Sequence, residues 1–98
     1  MSYTNTSILV VDDEESNRDI LSRRLTKEGY TVTVADGGKA ALDMLHLEVY
    51  DLVLLDIMMP GIDGYEVLKR IKSEPALYNT PVIMVTALSD EISIKRCL

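Results

Sequence analysis

Four short apolar runs, each separated from the next by a helix-type pattern, restrict this chain to a small set of folds. The runs are SILVV (7–11), YTVTVA (30–35), DLVLLD (51–56) and PVIMVT (81–86). Short apolar segments rich in β-branched residues are typical of strands buried in a sheet. Since strand and helix alternate four times, we expect an α/β fold in which a parallel sheet carries helices on both faces.

The segments between these runs show apolar residues at helical spacing. A helix after the first strand ends at Gly29, and Asp63 is the predicted N-cap of the third helix. The second helix covers roughly residues 39–47, and a fourth is predicted to begin after a cap at Ser89. The apolar sides of the first three helices consist of Ile20, Leu21 and Leu25; Ala41, Met44 and Leu45; and Val67, Leu68 and Ile71.

The size and charge of the chain exclude several classes of protein. Its 98 residues predict one domain spanning 1–98, and the formal net charge of −6 argues against binding to nucleic acid or to an anionic membrane. No apolar run is long enough to cross a bilayer, and the N-terminal MSYTNTS lacks the layout of a secretion signal. Cys97 is the only cysteine, so no internal disulfide can form. These features predict a cytoplasmic protein.

Polar residues follow three of the apolar runs at the point where each predicted strand ends. Asp12 and Asp13 follow the first run, Asp56 ends the third, and Thr86 ends the fourth. The carboxyl ends of parallel strands share one edge of a sheet, and ligands of open α/β sheets bind there. We therefore expect three carboxylates and one hydroxyl to meet in a common site.

Three clustered carboxylates repel one another, which raises at least one pKa unless a cation neutralises them. Mg²⁺ suits such a site, because it binds one or two carboxylates together with water and a phosphate. The ion would also screen the acids from an incoming phosphoryl group while a carboxylate oxygen attacks it. Thr86 could donate a hydrogen bond to a phosphoryl oxygen.

A single aspartate at a strand end is usually a turn residue or a cap, and Asp36 and Asp51 receive that interpretation. Asp12 and Asp13 alone would be a weak signal. It is the recurrence of polar residues at three matched strand ends that favours a functional site.

Three segments together closely resemble the receiver domain of two-component response regulators. They are ILVVDDEESNRDIL, DLVLLDIMMPGIDGYEVLKRIK and PVIMVTAL, in this order and spacing. The resemblance covers nearly the whole chain. It implies a flavodoxin-like, doubly wound parallel sheet and a function in a phosphorelay, with phosphoryl transfer from a phosphohistidine to an aspartate.

The resemblance also assigns roles to individual residues. Asp56 would accept the phosphoryl group, and Thr86 would be the switch hydroxyl that binds it. Asp13 would bind Mg²⁺ directly, Asp12 would hold it largely through water, and the backbone carbonyl of Met58 would complete the protein ligands.

The same resemblance implies that the partner is a histidine kinase or a histidine phosphotransfer protein. Glu14 and Met58 would border the pocket and influence the lifetime of the phosphoryl group. Such a domain phosphorylates and dephosphorylates only itself, so we do not expect an enzyme that turns over a metabolite.

The resemblance has one departure at the C-terminus. Receiver domains continue into a fifth strand, which carries a lysine that pairs with the phosphoryl group, and a fifth helix, whereas this sequence stops at Leu98. Lys95 is not a substitute, since it lies within the predicted fourth helix. We therefore expect a receiver domain that is incomplete at its C-terminus and truncated after the fourth helix.

Loss of the last strand would leave a sheet edge unpaired, which favours a homodimer or an exchange of elements between copies. The missing lysine also keeps an alternative function open. In that alternative the chain is a phosphorylation-impaired receiver that acts only as a protein-interaction or dimerisation module.

Two further alternatives fit the residues less well. A phosphatase of the haloacid dehalogenase type needs a second aspartate two residues after the nucleophile, but Met58 occupies that position. A flavin carrier on the same fold would bind its phosphate at the loop after the first strand, where DDEES is acidic and would repel it.

Overall fold

The computed structural model describes residues 6–85, and these form a parallel sheet flanked by helices. Its elements are β1 (Ser7–Val11), α1 (Glu15–Lys27), β2 (Thr31–Ala35), α2 (Gly38–Leu47), β3 (Leu52–Asp56), α3 (Gly64–Ser73) and β4 (Val82–Val85). Thr86 and the predicted fourth helix lie outside the described residues.

The strand order explains how helices come to cover both faces of the sheet. The order is β2-β1-β3-β4, and every neighbouring pair is parallel. The chain moves from β1 outward to β2, crosses back past β1 to β3, and continues to β4. Because such crossovers are right-handed, this reversal places α1 on one face and α2 and α3 on the other. The predicted doubly wound, flavodoxin-like sheet is thereby confirmed.

The predicted strand boundaries are correct to within one residue over the described range. Tyr30 and Asp51, which were expected to begin the second and third strands, instead lie just before them. The carboxylate Oδ2 of Asp51 accepts a hydrogen bond of 2.7 Å from the backbone N–H of Ser7, the first residue of β1. This contact holds the entry to β3 beside the entry to β1.

The main hydrophobic core lies between the sheet and the layer formed by α2 and α3. Alternate strand residues supply one side of it and the inner faces of the two helices supply the other. Leu9, Val53, Leu55, Ala41, Val67 and Ile71 are each 0% exposed. The apolar faces predicted for α2 and α3 are thus confirmed, although Met44 and Leu68 are only partly buried.

The start of α3 and the end of α1 lie where the capping residues of the sequence predicted them. The Asp63 side chain caps α3 by accepting a hydrogen bond of 2.9 Å from the backbone N–H of Glu66. Gly29, with a φ of 100°, lies just beyond the end of α1, where the left-handed conformation favours glycine.

The helix α1 is covered less completely than the other two. None of its residues is buried; Leu21 and Leu25 are half-buried, and Ile20 is 44% exposed. Along residues 6–85, none of the helices combines the length and the apolar character needed to cross a membrane.

Candidate functional site

The crevice between the carboxyl ends of β1 and β3 is the place where this sheet can bind a ligand. The chain leaves β1 toward one side and β3 toward the other, so neither connection covers the gap between them. Val11 pairs with Leu55 in the ladder, which places the residues that follow each of them next to one another. Those residues are Asp12 and Asp56.

Asp12, Asp13 and Asp56 converge in this crevice. One carboxylate oxygen from each lies within 4.8 Å of the others. Asp12 and Asp56 are 6% and 7% exposed, whereas Asp13 is exposed at the opening. The site is therefore acidic, closed from below by the sheet and open to solvent on one side.

Backbone N–H groups fix the orientation of the two buried carboxylates. Oδ1 of Asp12 accepts a hydrogen bond of 2.9 Å from the N–H of Glu14, and Oδ1 of Asp56 accepts one of 3.4 Å from the N–H of Met58. In both cases the donor lies two residues after the aspartate, as in an Asx turn. The loop that follows each strand thus orients the carboxylate at the end of that strand.

Burial raises the pKa of Asp56 to about 6, and the negative charge of Asp12 acts in the same direction. The hydrogen bond from Met58 opposes this rise, because it favours the ionised carboxylate. A cation in the crevice would remove the repulsion between the acids. The three carboxylates are hard oxygen donors and could together hold a metal ion.

Arg18 is part of this site, although the sequence alone did not point to it. Its Nη1 donates a hydrogen bond of 2.8 Å to the backbone carbonyl of Asp12. The guanidinium thus connects the first turn of α1 to the end of β1. A run of acids and bases in a helix gives no sign of such a contact, which depends on how the chain turns between strand and helix.

The structure brings together three of the predicted site residues, Asp12, Asp13 and Asp56. Met58 follows Asp56 in the loop, and its side chain is 66% exposed. Thr86 lies outside the described residues, so its place in the site stays a prediction.

Two other aspartates are separate from this cluster. Asp36 is exposed after β2, and Asp51 contacts Ser7 at the opposite end of the sheet. Their interpretation as ordinary loop residues agrees with these positions.

Comparison with known proteins identifies relatives over most of the chain. Residues 8–98 match a family model described as the response regulator receiver domain. The probable transcriptional regulator ycf27 of Guillardia theta is 47% identical over 87 residues, which are 89% of this chain and 33% of that protein. Response regulator PleD of Caulobacter vibrioides is 46% identical over 81 residues, which are 83% of this chain and 18% of PleD.

A solved structure shows the same architecture. The N-terminal domain of a response regulator receiver protein from Methanoculleus marisnigri JR1 superposes with a TM-score of 0.83 at 41% identity, covering 95% of this chain and 77% of that one. This chain spans only 33% and 18% of the two curated relatives, so they contain much that it does not match. Together with the acidic crevice, these matches show that the chain belongs to the family of response regulator receiver domains, which act in two-component signalling.

Proposed function

We propose that this chain accepts a phosphoryl group on Asp56 from a phosphohistidine of a histidine kinase or histidine phosphotransfer protein. The observation that supports this most directly is the position of Asp56, which ends β3 beside two further carboxylates in a receiver domain. An isolated strand-end aspartate would have no such neighbours.

The donor set fits Mg²⁺. This ion binds oxygen at about 2.1 Å, so ligands on its opposite sides lie about 4.2 Å apart. The three carboxylate oxygens lie within 4.8 Å of one another, so a single hydrated ion could reach all of them, directly or through a bound water. Asp13 would bind the ion directly and Asp12 largely through water, Asp56 would share it, and we assign the backbone carbonyl of Met58 to it as well. When bound, Mg²⁺ supplies positive charge that offsets the charge on the transferred phosphoryl oxygens.

The proposed reaction is a single displacement at phosphorus. An Asp56 carboxylate oxygen attacks in line, and an O–P bond forms as the P–N bond to the donor imidazole breaks. The electron pair of that bond goes to the imidazole nitrogen, which then takes a proton from solvent. With a pKa of about 6, Asp56 is largely ionised at neutral pH and can act as the nucleophile.

The protein contributes mainly positioning to this reaction. The hydrogen bond from Met58 restrains one oxygen of Asp56, and the one from Glu14 restrains Asp12. Thr86 directly follows β4, the strand that pairs with β3. We therefore propose that its hydroxyl donates a hydrogen bond to the phosphoryl group.

The product is an acyl phosphate that stays on the chain. Each molecule accepts one phosphoryl group and releases it by hydrolysis, so no metabolite is turned over. We therefore propose a self-phosphorylating and self-dephosphorylating signalling domain and not an enzyme.

Treatment with a small phosphodonor in the presence of Mg²⁺, followed by intact-mass measurement, tests this function. We expect a mass increase of about 80 Da in the wild type and none in Asp56→Asn. Asp36→Asn is a matched control, because Asp36 follows β2 at the same edge of the sheet without joining the cluster. It should be labelled like the wild type.

Labelling that persists in Asp56→Asn would contradict the assignment of the acceptor. If the wild type is never labelled yet still binds a kinase or phosphotransfer protein, the chain is an interaction module instead.

A further inference from the structure

The helix α3 begins in direct contact with the backbone of Asp56. Gly64, its first residue, is buried, and its N–H donates a hydrogen bond of 2.9 Å to the carbonyl of Ile57. A Cβ placed on Gly64 would overlap the backbone carbonyl oxygen of Asp56. It would also lie only 2.8 Å from Cα of Ile57 and 3.0 Å from the carbonyl carbon of Asp56. Only a glycine allows the helix to approach this peptide so closely.

We propose that Gly64 is a positioning residue that acts through Asp56. By allowing α3 to rest on the Asp56–Ile57 peptide, it sets the location of the Asp56 carboxylate relative to those of Asp12 and Asp13. This inference rests on the proposed function, in which these three carboxylates share a cation.

The peptide between Asp56 and Ile57 is confined on its other side as well. Asp56 pairs with Val85 in the ladder between β3 and β4, and the N–H of Ile57 donates a hydrogen bond of 3.2 Å to the carbonyl of Val85. The peptide therefore lies between a neighbouring strand and the start of a helix. A methyl group added at Gly64 must move either this peptide or α3.

The helix α3 has little freedom to move away. Val67 and Ile71 are both 0% exposed in the core. A Cβ on Gly38, at the start of α2, would meet Cγ2 of Val67 at 2.7 Å and the carbonyl oxygen of Ile62 at 3.0 Å, so α2 packs closely against α3 and the loop before it. Interiors packed this closely transmit displacement, and we expect the added methyl to shift Asp56.

Three glycines provide a matched set of variants. Gly64→Ala places its methyl group against the backbone of Asp56. Gly38→Ala also crowds a buried contact, but that contact is with Val67 of α3 and with Ile62 in the preceding loop, not with Asp56. Gly37→Ala has open space, with nothing within 4 Å of its added carbon.

The test measures the Mg²⁺ dissociation constant and the rate of phosphodonor labelling in the full chain, together with urea unfolding. Loss of a group that orients a metal ligand usually weakens metal binding roughly 10-fold to 100-fold. We expect Gly64→Ala to raise the Mg²⁺ dissociation constant at least about tenfold and to slow labelling. Gly38→Ala should lower the urea midpoint while its dissociation constant stays near that of the wild type, and Gly37→Ala should change neither.

A second comparison asks whether Gly64 acts through Asp56. In an Asp56→Ala background, adding Gly64→Ala should weaken Mg²⁺ binding much less than it does in the wild type. A further loss of the same size would show that Gly64 acts elsewhere and would overturn the proposal.

The proposal is also overturned if Gly64→Ala binds Mg²⁺ as tightly as the wild type, or if Gly38→Ala weakens Mg²⁺ binding as much as Gly64→Ala does.

If Gly64→Ala does not fold, an NMR measurement on the wild type tests the role of Gly64 instead. Saturation with Mg²⁺ should then shift the amide resonance of Gly64 far more than that of Gly37, and equal shifts would contradict the role. If the wild type binds no Mg²⁺ and accepts no phosphoryl group, the proposed function and this inference are both overturned. If the wild type does both and Gly64→Ala does both equally well, only the inference is overturned.

Discussion

The two helical layers of this domain lie on opposite faces of the sheet, and a helix of each contacts the acidic crevice. The two layers differ in how deeply their side chains are buried. On one face, α2 and α3 enclose a core in which Val67 and Ile71 are 0% exposed. On the other face, α1 buries none of its residues, and Ile20 is 44% exposed. Among residues 6–85, helix side chains are therefore fully buried only on the face that carries α2 and α3.

The two layers also contact the site through different interactions. The start of α3 rests on the backbone of Asp56 at Gly64, a steric contact that leaves no space. By contrast, α1 reaches the site through a hydrogen bond from Arg18 to the carbonyl of Asp12. The Asp56 side of the crevice is thus fixed by close packing, whereas the Asp12 side is held by a polar contact. We expect this polar contact to rearrange at a lower cost in free energy.

The largest expected effect is on core stability. Ile71→Ala in α3 should lower the free energy of unfolding by about 3 kcal/mol, because it leaves a cavity in a filled core. Ile20→Ala in α1 should cost about 1 kcal/mol or less, since that side chain is already 44% exposed. Urea unfolding followed by circular dichroism measures both. Equal losses would contradict the proposed difference between the layers.

The second effect concerns the charge of Asp56. Its pKa is raised from 3.8 to about 6 in the folded protein, so the folded state binds this proton more tightly than the unfolded state. The associated stability is fully present below pH 4 and is lost as the pH rises through about 6. Without divalent cations, the wild type should therefore lose about 1 to 2 kcal/mol relative to Asp56→Asn between pH 4 and pH 7, after allowance for solvent screening.

Chemical denaturation of both proteins across this pH range measures the difference. A stability difference that is independent of pH would contradict the raised pKa. A saturating divalent cation should reduce the pH dependence, because it neutralises the acids around Asp56.

A smaller effect is expected for the polar contact of α1. Arg18→Ala removes the hydrogen bond to Asp12 and should cost about 1 kcal/mol of stability. It should also weaken Mg²⁺ binding several-fold, because the end of β1 is less well held. Arg23→Ala on the same helix is the control: its side chain is 83% exposed, and its ion pair with Asp19 should contribute less than about 0.5 kcal/mol. If Arg18→Ala and Arg23→Ala bind Mg²⁺ equally well, Arg18 has no part in the site.

The smallest effect lies at the far end of the packed layer. Nε2 of His46 in α2 lies 2.9 Å and 3.0 Å from the carboxylate oxygens of Glu74, which follows α3. This hydrogen bond, together with the charge of Glu74, raises the pKa of His46. The contribution to stability is present below the ordinary pKa of histidine and is lost as the pH rises through the higher folded value.

An NMR titration of the His46 imidazole tests this contact. The pKa should fall in Glu74→Gln and stay unchanged in Glu48→Gln, an exposed glutamate next to α2. Mg²⁺ binding should be the same in both variants, since the pair lies at the end of the helices away from the crevice. A pKa of His46 that is insensitive to Glu74 would contradict the contact.

Much of the fold was predictable from local patterns. The apolar runs located each described strand to within one residue, and the cap at Asp63 was recognisable from its residue type. The convergence of Asp12, Asp13 and Asp56 followed from one rule about parallel strands.

The features that were missed depend on how the elements turn and pack in three dimensions, which local patterns do not show. Arg18 reaches Asp12 through the turn before α1, and His46 meets Glu74 across 28 positions. The close approach of Gly64 to Asp56 arises only when α3 packs against the sheet. Ile20 was predicted to lie on the apolar side of α1 with Leu21 and Leu25, and its 44% exposure shows that this part of the prediction was wrong.

The central claim is that Asp12, Asp13 and Asp56 share one divalent ion. Paramagnetic Mn²⁺ tests it directly, because the ion broadens only those amide resonances that lie close to it. We expect substoichiometric Mn²⁺ to broaden Asp13, Asp56 and Met58 together, Mg²⁺ to reverse the broadening, and Asp13→Asn to require much more Mn²⁺. Broadening of Asp13 without Asp56 and Met58, or equal broadening around Asp36, would show that the acids do not share an ion and would contradict the account.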